Sequence, residues 1–258
     1  MSAARPLLDR LQEAAATGIA LPADQGEPLE AWQGHALLLL GLQLRLSRGE
    51  ALAGWKVAFA SRAAYERFGL NEPVYGALTD VMQLPPASTV DLARFIQPKL
   101  EVELAFIIGE HLQAGSYSDE QLHAVVGEMA PAFEVADCRW QGWRFGAGGF
   151  LADNAAAAGF CLGRRQPFDA ARAAAVEYTL SRDGTSLGQG ELGSREDTPL
   201  RSLCWVLRRL LEDGQDLYPG QVILSGALLP PLGLAPGQYR LEMLGQALEL
   251  TFRPAEPA

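Results

Sequence analysis

The chain has 258 residues, of which 48% are hydrophobic and 20% charged, the make-up of a globular domain rather than of a disordered tail. Its 31 acidic and 21 basic side chains leave a formal charge of −10. That balance excludes a surface built to neutralise a run of phosphates and disfavours an anionic membrane face. Cys138, Cys161 and Cys204 fit neither a zinc-knuckle spacing nor a disulfide framework, so a reducing cytoplasm is the expected location. Met1–Leu21 lacks the unbroken apolar core of a signal peptide, and the apolar run Ala36–Leu42 is too short to span a bilayer.

The first 50 residues read as helical. Pro6–Ala16 and Leu29–Arg48 are rich in strong helix formers, separated by a loop with Gly18, Pro22, Gly26 and Pro28. After Gly54 the pattern changes to a short buried strand, Trp55–Ala60, and then a short helix, Arg62–Phe68, stopped by Gly69. Residues 1–70 are therefore taken as a mainly helical N-terminal region packed on a β-rich core, 71–258. Leu100–Ile108 alternates most clearly: Leu100, Val102, Leu104, Phe106 and Ile108 share one face, and Glu101, Glu103, Ala105 and Ile107 the other. Ser118–Met129 is predicted as a helix with Gln121 three residues after its cap, followed by a strand over Pro131–Cys138. Further on, Val176–Ser181 and Thr185–Gln189 flank the turn Arg182-Asp183-Gly184 as a hairpin. Pro199–Glu212 is a helix with a favourable first-turn proline, Gln221–Leu224 a short strand, and Gln238–Met243 with Ala247–Phe252 a last hairpin. Strands and isolated helices without a βαβ cadence indicate an α+β fold.

Glu101 and Glu103 carry the chemical signal. Two residues apart on an apolar strand, they point the same way over roughly 6.6 Å, so both carboxylates can converge on one ion. Glu134, on a second predicted strand, is the candidate third ligand. Crowded carboxylates in a low dielectric each hold a proton or require a cation, and an all-oxygen set suits Mg²⁺ or Mn²⁺ better than zinc. The competing reading puts both glutamates on the wet face of a half-buried sheet.

Lys56, among Trp, Val, Ala and Phe, either snorkels from a sheet edge or pairs with an anionic substrate or with Asp80. Asp80 itself sits where a turn acceptor is equally natural. Arg139 either pairs locally with Asp137 or reaches a ligand carboxylate. Trp140, Trp143 and Phe145 form a lid or a packed loop. Gly146, Gly148 and Gly149 lack the spacing of a dinucleotide fingerprint, and His35, His111 and His123 are too scattered for catalysis.

These residues stand in a familiar order: Gly54-Trp55-Lys56-Val57, Glu72-Pro73-Val74-Tyr75-Gly76, Pro98–Phe106, Pro131–Val135, Ala152-Asp153-Asn154-Ala155 and Pro219–Ala227. From about Gly41 to Phe252 the chain resembles the 2-keto-4-pentenoate hydratase and 4-oxalocrotonate decarboxylase group of the fumarylacetoacetate hydrolase superfamily. The resemblance implies a mixed β-roll with peripheral helices, assembled into homo-oligomers. It implies Glu101, Glu103 and Glu134 as ligands of Mg²⁺ or Mn²⁺, Lys56 and Asp80 as the groups that handle protons or orient water, and Arg139, Asn154 and Ser225 as substrate contacts. The implied reaction is hydration of a small 2-hydroxy-2,4-dienoate to a 4-hydroxy-2-oxo acid. Decarboxylation of a 4-oxalocrotonate-type 2-oxo acid is the near alternative, and a catalytically weak partner subunit of a hydratase–decarboxylase complex the third. A carbon–carbon hydrolase of the fumarylpyruvate type is disfavoured by the lack of a well-placed histidine. The chain departs from the group's pattern at Ala58, Ala60, Cys138, Gly148, Ser225 and the charged segment Ser194–Asp197. Gly148 stands near a position that relatives usually fill with Asp.

Overall fold

The computed structural model describes residues 4–26, 28–192 and 197–254. The N-terminal segment forms helices α1 (Ala4–Thr17) and α2 (Ala31–Ser47), strand β1 (Leu52–Ala58) and the short helix α3 (Arg62–Glu66). There follow β2 (Val74–Thr79), β3 (Thr89–Asp91), β4 (Lys99–Ile108), α4 (Asp119–Ala124), β5 (Val126–Ala136), α5 (Ala147–Ala152), β6 (Ala157–Leu162), β7 (Gln166–Pro167) and α6 (Ala170–Ala174). The hairpin β8 (Glu177–Arg182) and β9 (Thr185–Glu191), helix α7 (Pro199–Glu212), β10 (Val222–Leu224), β11 (Leu232–Gly233), β12 (Gly237–Met243) and β13 (Gln246–Arg253) complete the chain. The helix starts are chemically marked: Glu30 and Ser118 both form reciprocal capping boxes, and Thr198 accepts from Arg201 N ahead of Pro199.

The expected α+β roll is present. One sheet runs β2-β1-β10-β4-β5-β6, with β11 added to β4 and β7 to β5; the other runs β3-β13-β12-β8-β9. The first sheet curls until its ends meet: Gln83, just past β2, bridges Phe160 of β6, and Leu84 N donates to Phe160 O at 2.7 Å. One face therefore becomes an interior. Trp55, Val57, Val102, Leu104, Phe106, Phe133 and Val135 fill the main core on the other face. The enclosed face carries a smaller apolar cluster of Leu78, Ala105, Ala132, Phe160, Leu162, Val222 and Leu224.

Two sequence expectations shift. The helix predicted over Ser118–Met129 stops at Ala124, because Val126–Met129 is drawn into the ladder opposite the end of β4. The strand predicted from Pro131 thus begins at Val126, and Pro131 lies inside it opposite Leu104. Besides its helices, the 1–70 segment contributes β1, which lies between β2 and β10. The charged segment Ser194–Asp197 lies, apart from Asp197, outside the described residues. Among the described residues no helix is long and apolar enough to cross a membrane.

Candidate metal centre

Strand register assembles the site. In the antiparallel β4–β5 pair Glu101 stands opposite Glu134, and Glu103 opposite Ala132. Cross-strand partners share a face, as do alternate residues of one strand, so all three carboxylates enter the roll interior. Lys56 pairs with Leu224, and Leu224 with Ala105, which brings the lysine onto the same face. One carboxylate oxygen from each of Glu101, Glu103 and Glu134 lies within 4.8 Å of the others. Glu103 and Glu134 are fully buried and Lys56 is 1% exposed, while Glu101 keeps partial access.

The charges are strongly coupled. Burial, then repulsion from Glu134, pushes the Glu101 carboxyl up to about 7. Glu103 is raised well above the ordinary carboxylate range by burial and by both neighbouring acids. Burial alone would lower the Lys56 ammonium, but Glu134, Glu101 and Glu103 outweigh it and hold its pKa above the usual value. Lys56 Nζ lies 2.8 Å from Glu134 Oε1.

The donor set fits a hard divalent cation. Glu103 Oε1 and Glu134 Oε2 are buried with no hydrogen-bond partner in the protein, a costly state that a cation relieves. Glu103 Oε2 accepts from Gly226 N at 2.7 Å, which aims the free oxygen of that carboxylate at the other two acids. Gly226 makes this contact at φ +93 with the Ala60 Cβ only 3.0 Å from where its own Cβ would stand, so a side chain there is both strained and crowded. Three convergent carboxylates without His or Cys form a Mg²⁺ or Mn²⁺ site. The wet-face reading is thereby overturned.

The remaining expected residues divide. Ser225 directly precedes Gly226, whose N donates to Glu103, and its hydroxyl is buried without a partner. Asp80 does not reach it. That side chain is exposed and its Oδ1 accepts from Ala51 N at 2.9 Å and Val81 N at 3.0 Å. It follows β2 four residues beyond Gly76, the partner of Lys56, or roughly 13 Å along the strand and away from the acids. The turn-acceptor role is the one realised. Arg139 pairs with Asp153, not Asp137: its Nε donates to Asp153 Oδ1, its backbone N to Asp153 Oδ2 at 2.8 Å, and Nη1 to Asp137 O at 2.7 Å. Asn154 brackets β2, with Ala77 N donating to its Oδ1 and its Nδ2 donating to Ala77 O, both at 2.8 Å. Arg139 and Asn154 thus hold the scaffold beside the sheet, their polar atoms engaged within the protein. His35 binds Tyr75, His123 faces Cys204, and His111 stacks on Tyr218, so these three imidazoles are engaged elsewhere. Gly226 lies within the Pro219–Ala227 piece of the resemblance, but nothing in the sequence marks its amide as the donor to Glu103.

No family model matches the chain. Among curated proteins, a 4-oxalocrotonate decarboxylase of Pseudomonas sp is 30% identical over 237 residues, covering 90% of each chain. A 2-keto-4-pentenoate hydratase of Burkholderia vietnamiensis is 32% identical over 243 residues, covering 92% of each. Among solved structures, 4-oxalocrotonate decarboxylase from Pseudomonas putida G7, complexed with magnesium and adipate, superposes with a TM-score of 0.91 at 20% identity over 98% of each chain. Fumarylpyruvate hydrolase from Pseudomonas aeruginosa, in complex with Mn²⁺ and pyruvate, gives a TM-score of 0.56 at 16% identity over 78% of this chain and 89% of that one.

Proposed function

The chain belongs to the 2-keto-4-pentenoate hydratase and 4-oxalocrotonate decarboxylase family of the fumarylacetoacetate hydrolase superfamily, a metal-dependent lyase group, and from that premise we propose that it decarboxylates a 4-oxalocrotonate-type 2-oxo diacid. One observation carries the choice over hydration. Lys56 is held protonated against Glu134, whereas Asp80, the carboxylate expected to handle water, lies at the surface. Hydration needs a base that takes a proton from water. Decarboxylation needs a proton donor at one oxygen and no activated water.

A divalent cation among Glu101, Glu103 and Glu134 supplies positive charge where the 2-oxo group of the substrate becomes negative. The bond to the distal carboxylate breaks, its electron pair runs along the conjugated chain to the 2-oxygen, and carbon dioxide leaves. Lys56 Nζ is the proton source for that oxygen, which yields a 2-hydroxydienoate. Glu134 keeps the ammonium charged until the negative charge appears, and the neutral amine left behind regains its proton from solvent when the product departs. The free Ser225 hydroxyl offers one further hydrogen bond to the bound acid. Lys56, Glu103 and Glu134 are buried, an environment that favours loss of carbon dioxide over addition of water.

Hydration is the second reading, kept because a hydratase is as similar in sequence as the decarboxylase. The weak-partner reading drew chiefly on Gly148, and that glycine has a packing reason of its own, its Cα lying against the carbonyls of Leu29 and Glu30 on the approach to α2. The test is the purified protein with Mg²⁺ or Mn²⁺, offered 4-oxalocrotonate and 2-hydroxypenta-2,4-dienoate separately. Carbon dioxide release with accumulation of the dienoate supports decarboxylation. Conversion of the dienoate to a 4-hydroxy-2-oxo acid, with no carbon dioxide from 4-oxalocrotonate, overturns it.

A further inference from the structure

The chain contains only two lysines, Lys56 and Lys99, among 21 basic residues; the other 19 are arginines. Both lysines lie on the enclosed face. Along β4 that face reads Ala105, Glu103, Glu101, Lys99, in the direction in which β1 runs from Lys56 toward its end at Ala58. Lys99 is thus one strand step beyond Glu101, on the side where the chain leaves the sheet. Unlike Lys56 it keeps solvent access. Its Nζ sits 4.0 Å from the centroid of the Trp143 ring, and among the described residues it has no hydrogen-bond or ion-pair partner.

The surroundings hold this ammonium in place. Trp143 Nε1 donates to Gln97 O at 2.8 Å, while Ile96 N and Gln97 N donate to the Asp137 carboxylate at 2.8 and 2.7 Å. Beyond Trp143 follow the stacked rings of Phe145, Phe150, Phe59 and Phe68, from the α5 segment, the end of β1 and the end of α3. These rings form an apolar cluster with the Lys99 ammonium at its edge, over Trp143 and within electrostatic reach of Glu101.

We infer that Lys99, backed by Trp143, receives the distal carboxylate of the substrate and is the residue that selects a diacid over a monoacid. The inference rests on the decarboxylase reading of the same site. Its length scale agrees: an extended six-carbon diacid separates its carboxyl carbons by about 6 Å from ordinary bond lengths. Alternate residues of a strand are about 6.6 Å apart. A 2-oxo acid bound through a cation that the three glutamates would hold would therefore present its far end near Lys99. A flexible ammonium suits a carboxylate that must then depart, whereas a bidentate arginine would hold it more rigidly. Lys99 interacts with charge that leaves this end of the substrate in the transition state, so it favours the bound substrate more than the transition state. Its removal raises KM for the diacid without lowering kcat.

The experiment measures Mg²⁺-loaded protein by calorimetry with two unreactive six-carbon acids, 2-oxoadipate and 2-oxohexanoate, which differ in the distal carboxylate. The wild type is expected to bind 2-oxoadipate about tenfold more tightly. Lys99→Met should bring that ratio close to one, and Lys99→Arg should restore most of it. A wild-type ratio near one, or a ratio unchanged in a folded Lys99→Met protein, overturns the inference. Loss of preference in Lys99→Met together with no carbon dioxide from 4-oxalocrotonate in the wild type supports the Lys99 subsite and removes the decarboxylase reading. Carbon dioxide release with an unchanged ratio does the reverse.

Discussion

Lys56 Nζ and Glu134 Oε1 stand 2.8 Å apart in a part of the roll that solvent barely reaches. Neither oxygen of Glu134 accepts a well-aligned hydrogen bond, so the ammonium and a cation are what compensate this buried charge. Lys56→Met strands the carboxylate. We expect a loss of about 3–5 kcal/mol in folding stability without metal, the usual cost of removing one partner of a buried pair. Turnover should fall about 10²–10⁴-fold as the proton donor disappears. Lys56→Arg should restore part of the stability and little of the rate, because its guanidinium does not release a proton. Urea titration and initial rates on the same preparations check both parts; a Lys56→Met enzyme with near-normal kcat removes the proton-donor role.

Glu103 behaves in the opposite sense. Its carboxyl is raised by burial and by repulsion from Glu134 and Glu101, so it opposes folding when no cation is present. Glu103→Gln keeps the shape and an acceptor for Gly226 N, which now donates at 2.7 Å to Oε2. The metal-free variant is therefore expected to melt at or above the wild-type temperature, while the rise in melting temperature that Mg²⁺ gives the wild type is lost along with turnover. Thermal melts with and without Mg²⁺ decide it. A variant that still gains stability from Mg²⁺ would take Glu103 out of the ligand set.

How far these relationships were legible depends on their range in the chain. Alternation alone put Glu101 and Glu103 on one face, because the strand period is local. That Glu134 faces Glu101 is a register fact, fixed by the β4–β5 ladder and invisible to either strand alone. Lys56 stands out in its apolar strand, but its partner is Glu134, 78 residues away, and not the nearer Asp80. The same limit applies to Arg139 and Asn154: their polar atoms satisfy Asp153 and Ala77, and only the folded chain shows those demands. Pro131 disguised the start of β5, since a proline removes a ladder donor and reads as a strand boundary, yet here it lies opposite Leu104 within the pair.

Proton linkage gives a further test. Glu101 titrates near 7 in the folded metal-free protein against 4.5 when unperturbed. Between those values the folded state holds more protons than the unfolded one, so this group makes the metal-free protein less stable as pH rises through the window. A cation needs the ionised form, so its binding expels the proton. Calorimetry of Mg²⁺ binding in buffers of different ionisation enthalpy should show proton release that is about one proton smaller at pH 8 than at pH 6. Glu103, raised further, keeps some release at the higher pH. Heats independent of buffer at pH 6 would contradict the linkage.

Gly148 is explained by packing. A Cβ there would stand 2.2 Å from Leu29 O and 2.4 Å from Glu30 O, and one on Gly34 of α2 would stand 2.1 Å from Gly148 O. These contacts are to backbone, which cannot swing aside as a side chain end can. The helix contact therefore requires both glycines, and it carries α5, which leads into the Asp153–Asn154 bracket on Arg139 and β2. Gly148→Ala should cost about 1–3 kcal/mol, as overpacking does. Gly148→Asp, the residue type that the family resemblance suggests near this position, should cost more, because it also buries a carboxylate against two carbonyls. Chemical denaturation of both variants separates the explanations: a Gly148→Asp protein as stable as the wild type, with higher turnover, would mean that the position serves the reaction and not the α2–α5 contact.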